Sequence, residues 1–264
     1  MKQYESSSNL KDKAKGLLLG HWGTAVLYVI SMLGIVFGFS LIIAFAFVFG
    51  EFLLFGEETT LLTTIINYIV SGILSCVTGV LNAGTALFFL NIACGKEPSL
   101  KNMFYCLTNN SFLKCLAIST ATVLPEILMM FPSEILSYLY ESTDNLAIGG
   151  ASVLAGLIGI IIYIPITYAL SMSFYLMLDF PERSASDILR LSLKITKGHK
   201  RRLLYLDLSF IPLLLLVYCT CGIGFLWFTP YMNMVYVLFF LDLMKPKNNE
   251  LPTSEQQPYD PFAN

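Results

Sequence analysis

The sequence predicts an all-α fold: a polytopic membrane bundle of six transmembrane helices, with amphipathic helices on its cytoplasmic side. Three observations predict it. Of 264 residues, 56% are hydrophobic and 13% charged, with a mean hydropathy of +0.69; soluble domains carry roughly 25% charged residues. Six apolar stretches are each long enough to cross the hydrocarbon core, which takes about 20 helical residues. All 16 lysines and arginines fall on one side when those stretches are drawn as spans. Together these features exclude a soluble enzyme, a disordered chain and a nucleic-acid binder working through a basic surface, so no nucleic-acid partner is expected.

The first span covers about Trp22–Phe49. Lysines precede it and Ala44-Phe45-Ala46 mimics a cleavage site. The apolar run nevertheless exceeds the ~7–15 residues of a signal peptide, so an uncleaved first span is expected. The second span lies within Leu61–Ala93, and the third covers about Phe112–Leu139. Pro125 and Pro132 leave open whether the third is one helix or two half-helices. The fourth covers about Ile148–Leu178 with Pro165 inside, the fifth about Leu203–Cys221, and the sixth about Phe225–Met244. Several exceed what a bilayer needs, so tilt, kinks or extension past the membrane are expected.

Cations set the orientation. Lys2, Lys11, Lys13 and Lys15 precede the first span, and Lys96, Lys101 and Lys114 lie around the second connector. Arg183, Arg190, Lys194, Lys197, Lys200, Arg201 and Arg202 fill the fourth connector; Lys245 and Lys247 follow the sixth span. The loop after Glu51 holds Glu57 and Glu58 without a base, and the loop at Glu141 and Asp144 is alike. The reading is a multi-pass protein of the bacterial cytoplasmic membrane with both termini inside. Its single transmembrane domain runs over 1–244, and 245–264 form a proline-rich cytoplasmic tail expected to be disordered.

Each basic segment that leads into a span has an apolar helical face. Leu10, Ala14, Leu17 and Leu18 form the first, and Leu100, Met103, Phe104 and Leu107 the second. Ile188, Leu191 and Ile195 form the third, with Ser184-x-x-Asp187 as a capping box. The segments end in Gly20-His21, Asn109-Asn110 and Gly198-His199. This suggests three parallel units over about 8–95, 96–182 and 183–244, each a surface helix followed by a two-span hairpin. Arg190, Lys194, Lys197, Lys200, Arg201 and Arg202 form the strongest basic face, suited to anionic lipid headgroups or a cytoplasmic partner.

Helices in lipid pack through small residues. Candidates are Gly34 and Gly38 in the first span, Ser71, Ser75, Gly79 and Ala83 in the second, and Ala151, Ala155 and Gly159 in the fourth, with Ser152 and Gly156 one step round. The second and fourth spans are expected near the bundle centre. Whether these faces pack within one chain or in a homo-oligomer is open.

Ionisable groups at membrane depth are candidate sites. Glu126 follows Pro125, and is either a proton- or cation-linked group or an outer-interface acid like Glu134. Asp207 lies one turn into the fifth span, within reach of Lys200, Arg201 and Arg202; with Asp242 it reads as structural. The six cysteines lack zinc spacing and mostly read as small buried hydrophobes. His21 and His199 lack metal or triad partners in the sequence, and no catalytic motif stands in context. No cofactor, metal or enzymatic activity is expected.

Gly198-His199-Lys200, Asp207-Leu208-Ser209-Phe210-Ile211 and Gly222-Ile223-Gly224 through Leu226-Trp227 to Pro230-Tyr231 resemble the bacterial integral-membrane family named domain of unknown function 975. Leu10, Lys11, Ala14 and Lys15 fit it as well. Pro212-Leu213 stands where that family usually has Gly-Trp. The resemblance implies a multispanning protein of bacterial, often Gram-positive, cytoplasmic membranes and supplies no activity. Three functions follow in order of preference. The first is a non-enzymatic protein acting through lipid or protein contacts, in an accessory, envelope-homeostasis or immunity role. The second is a small transporter or channel using Glu126, and the third an intramembrane enzyme.

Overall fold

The computed structural model describes residues 4–55 and 60–245, with side chains described outside 51–55. Lys2, Glu57, Glu58, Lys247 and the tail expected after Lys245 lie outside the described residues, as does the side chain of Glu51. The described residues form twelve α-helices, with no strand among them. These are α1 (Ser7–Leu18), α2 (Trp22–Phe55), α3 (Leu61–Gly79), α4 (Leu81–Ala93), α5 (Tyr105–Thr108), α6 (Phe112–Thr143), α7 (Leu146–Leu170), α8 (Ser173–Asp179), α9 (Ala185–Thr196), α10 (Lys200–Leu208), α11 (Ile211–Cys219) and α12 (Phe225–Met244). A 3-10 helix, Leu100–Phe104, leads into α5.

Three of the six expected spans are interrupted. The second breaks at Val80, between α3 and α4, and the fourth at Ser171–Met172, between α7 and α8. The fifth breaks at Ser209–Phe210, just before Pro212, which has no N–H to continue the ladder. The third span is one helix, with Pro125 and Pro132 inside α6, which resolves the half-helix alternative. α7 lies closely along it. Tyr140 covers Gly149, the Ser133 hydroxyl donates to the Ser152 carbonyl (3.0 Å), and the backbone at Met129 meets Gly159.

The connectors share their local chemistry. Ser6, Ser99 and Ser184 each cap a helix N-terminus by accepting a backbone N–H, from Asn9, Lys101 and Asp187 respectively. Each connector then turns through a left-handed residue: Gly20 (φ 89°), Asn110 (φ 54°) and Gly198 (φ 88°). Gly and Asn are the residues that adopt this conformation at least cost. The apolar faces turn toward protein. Leu10, Ala14 and Leu18 of α1 are buried, as α1 packs along α12 rather than lying outward on the membrane surface. The second connector packs on α4 and α9 packs on α8 and α7. Each connector thus rests on the second leg of the preceding hairpin, and the first rests on the last.

The core lies where α4, α8 and α12 meet. Phe88, Phe89, Met172, Leu176, Phe239 and Phe240 fill it and are almost wholly buried. Tyr28 of α2 stacks on Phe88 (4.1 Å between centroids) and Tyr175 on Phe240 (5.2 Å). The second and fourth spans contribute their segments after the breaks to this centre, and the sixth joins them. Away from it, large apolar residues such as Ile42, Phe45, Leu154, Ile161, Leu215 and Leu216 are exposed, as expected of a surface solvated by hydrocarbon. The third hairpin is short: its legs have 20 residues each, against 33 and 34 in the second and fourth spans. At 1.5 Å per residue that is about 30 Å against about 50 Å.

The small residues divide into two groups. Gly79 packs on Ser119, Gly156 on Ser133 and Gly159 on Met129, while Ala83 is fully buried. Ala151 and Ala155 lie at the edge of the α6–α7 contact, half-buried. Gly34 and Gly38 meet nothing within 4 Å, and Ser71 and Ser75 are exposed.

Cys106 and Cys115 form a disulfide with Cα atoms 6.4 Å apart, which corrects the expectation that both are free thiols. Residues nine apart in sequence are brought together by the turn at Asn110. Both are buried, which shields the pair from soluble thiols. Alkylating the denatured, unreduced protein should modify four cysteines, Cys76, Cys94, Cys219 and Cys221. Mass spectrometry showing Cys106 and Cys115 alkylated as well would contradict the pairing.

Candidate functional site

The best-defined polar cluster ties both ends of the described chain together. Arg202 lies in the first turn of α10, Asp242 in the last turn of α12, and Glu5 just before α1. The Arg202 guanidinium ion-pairs with Asp242 and donates to the Glu5 carbonyl (2.6 Å). The Glu5 N–H donates to Asp242 Oδ2 (3.2 Å). Lys245 bridges the Glu5 and Asp242 carboxylates, and Lys13 pairs with Glu5 at 2.7 Å. Hydrogen bonds from Lys13 and then Lys245 hold the Glu5 carboxyl below its ordinary 4.5. Asp242 is only 2% exposed, so its charge depends on these partners.

This cluster changes two expectations. Arg202 does not join the basic surface face but turns inward to Asp242. Asp207, expected beside Lys200, Arg201 and Arg202, is instead held by two phenols. Tyr168 of α7 donates to Asp207 Oδ2 (2.6 Å), and Tyr236 of α12 donates to Oδ1. One carboxylate therefore joins the fourth, fifth and sixth spans with charge-assisted bonds. Asp207→Ala should lose about 1.5–3 kcal/mol of stability, the range for hydrogen bonds to a charged group, read as a lower Tm in detergent. An unchanged Tm would contradict a structural role.

Lys11 performs a related task at the break in the fifth span. Its ammonium donates to the Ser209 carbonyl (2.8 Å) and lies 4.2 Å from the centre of the Phe210 ring. Burial, then the charge of Lys15, lowers its pKa. At the break in the fourth span, the Ala169 carbonyl accepts from the Ser192 (2.9 Å) and Thr196 (3.1 Å) hydroxyls of α9. Connector side chains thus bond to backbone carbonyls at two breaks, which no local sequence pattern signals.

Arg190, Lys194, Lys197 and Arg201 are exposed, and Lys200 is half-buried, so most of the predicted basic face points outward. Glu126 is exposed on α6, where its carboxylate accepts from the Tyr163 hydroxyl (3.2 Å). It does not join the Asp207 or Asp242 clusters. Among the described residues, no group of three or more His, Cys, Asp or Glu side chains gathers as a metal site.

Six helical segments long and apolar enough to cross a bilayer, around a packed apolar core, define a polytopic α-helical membrane protein. The chain belongs to the family described as protein of unknown function (DUF975), whose model matches residues 1–247. No curated protein and no solved structure matches it.

Proposed function

We propose that this is a non-catalytic protein of the bacterial cytoplasmic membrane, with both termini inside, that works through contacts with anionic lipid and with a membrane-protein partner. The observation that carries this reading is the set of exposed cations Arg190 and Lys194 on α9, Lys197 at its C-cap and Arg201 on α10. These cations stand beside exposed apolar residues, Leu193 and Leu204, which suits the boundary between headgroups and acyl chains. The apolar filling between α4, α8 and α12 favours a scaffold over a conducting path. The recurring serine caps and left-handed turns support a build of three connector-hairpin units.

Purification in gentle detergent followed by native mass spectrometry tests the reading. It should find anionic phospholipid, a second protein, or both, bound to the chain. Replacing Arg190, Lys194 and Lys197 together with glutamine should reduce that retention without changing Tm. A lipid-free, solitary monomer would overturn the proposal.

A further inference from the structure

A groove of about 200 Å³ opens between α2 and the junction of α3 with α4. Ile35, Val36 and Phe39 form one wall and Val77, Thr78 and Leu81 the other. Met103, Cys106, Leu107 and Phe112 of the second connector and α6 close it. The disulfide from Cys106 to Cys115 fastens that closing element to α6. Unlike α6 and α7, which stay in contact along their length, α2 touches α3 only sparsely. The first hairpin is therefore splayed, and the groove lies inside its fork.

We propose that this groove holds one acyl chain of an anionic phospholipid. The assignment rests on the lipid-contact reading above and gives it a location. The lining is almost entirely carbon, and its walls belong to helices whose neighbouring faces are bare to hydrocarbon, including Phe37 and Ile73. Leu100, Phe104 and Leu107 of the connector are also exposed and continue the apolar surface from the groove. Charge selects the headgroup. Lys101 is exposed on the same connector that closes the groove, and the proposal assigns it to the headgroup. A neutral lipid would fill the groove but gain nothing from the cation.

The test uses the full chain in phosphatidylcholine nanodiscs containing phosphatidylglycerol with a photoactivatable diazirine on its acyl chain. Adducts are mapped by mass spectrometry, with a diazirine phosphatidylcholine as control. Adducts should concentrate on the groove walls and on the connector rather than spread over the exposed faces of α7. Val36→Trp should fill the groove and remove those adducts while leaving the α7 adducts unchanged. Lys101→Glu should leave the groove open but lower the preference for phosphatidylglycerol over phosphatidylcholine by about fivefold or more, as expected for losing a cation at an anionic headgroup. Uniform labelling, groove adducts that survive Val36→Trp in a normally folded chain, or chain-to-chain crosslinks placing a partner helix in the fork would each overturn the site. If anionic lipid is still retained in native mass spectra, only the groove assignment falls; if it is also lost, the lipid reading falls with it.

Discussion

Replacing Arg202 with alanine is expected to destabilise the protein by about 3–5 kcal/mol, the range for removing one member of a buried ion pair. The size follows from Asp242, which is 2% exposed and has its Oδ2 atom engaged by Arg202 and by the Glu5 N–H. Lys245 reaches the other oxygen at 3.2 Å but is itself half out in solvent. Without the guanidinium, a buried carboxylate keeps its desolvation cost and loses its strongest partner. The loss should extend to α1, because Arg202 also holds the Glu5 carbonyl (2.6 Å). Limited proteolysis of Arg202→Ala should therefore cut near the N-terminus faster than in the wild type. Arg202→Met combined with Asp242→Leu should recover much of the lost Tm, since removing both charges avoids the orphaned one. A single variant that melts with the wild type would contradict the clamp.

Gly84→Ala should also be damaging, for a steric reason. A Cβ there would lie 2.5 Å from the Asn102 carbonyl oxygen and 2.7 Å from the Met103 Cα, both backbone atoms that no rotamer change can move aside. Overpacking of this kind typically costs about 1–3 kcal/mol. The second connector would have to lift off α4. Gly34→Ala is the internal control, because its Cβ meets nothing within 4 Å. There, the better helix propensity of alanine should leave the stability equal or slightly higher. Thermal unfolding in one detergent compares the two directly, and equal melting would contradict the close seating of the connector on α4.

The spans and connector ends were legible in the sequence because both are local signals. Long apolar runs locate the helices, and Gly20, Asn110 and Gly198 stand where the chain turns left-handed. The helix breaks were legible only at Pro212, where a missing N–H marks the spot. No residue type announces the break at Val80. The partners of the polar groups were not legible at all. Glu5 and Asp242 are 237 residues apart, and Asp207 and Tyr168 are 39 apart. In sequence, Asp207 has three cations nearby; in the fold, Arg202 pairs with Asp242, Arg201 is exposed, and phenols from two neighbouring spans take the Asp207 carboxylate. The amphipathic pattern of α1 marks a helix, but its stripe of Leu10, Ala14 and Leu18 is used up against protein. Periodicity reveals that a face is apolar without revealing what covers it.

Lipid contact through the basic connectors requires all three to occupy the cytoplasmic side of the bilayer. Single cysteines at Lys15, Lys101, Lys197 and Thr143, each in a chain whose six native cysteines are serine, can be probed with a membrane-impermeant maleimide. In intact cells only the cysteine at position 143 should react, and the other three should react only after lysis. Labelling at position 15, 101 or 197 in intact cells would contradict the proposed orientation and the cytoplasmic lipid face built on it.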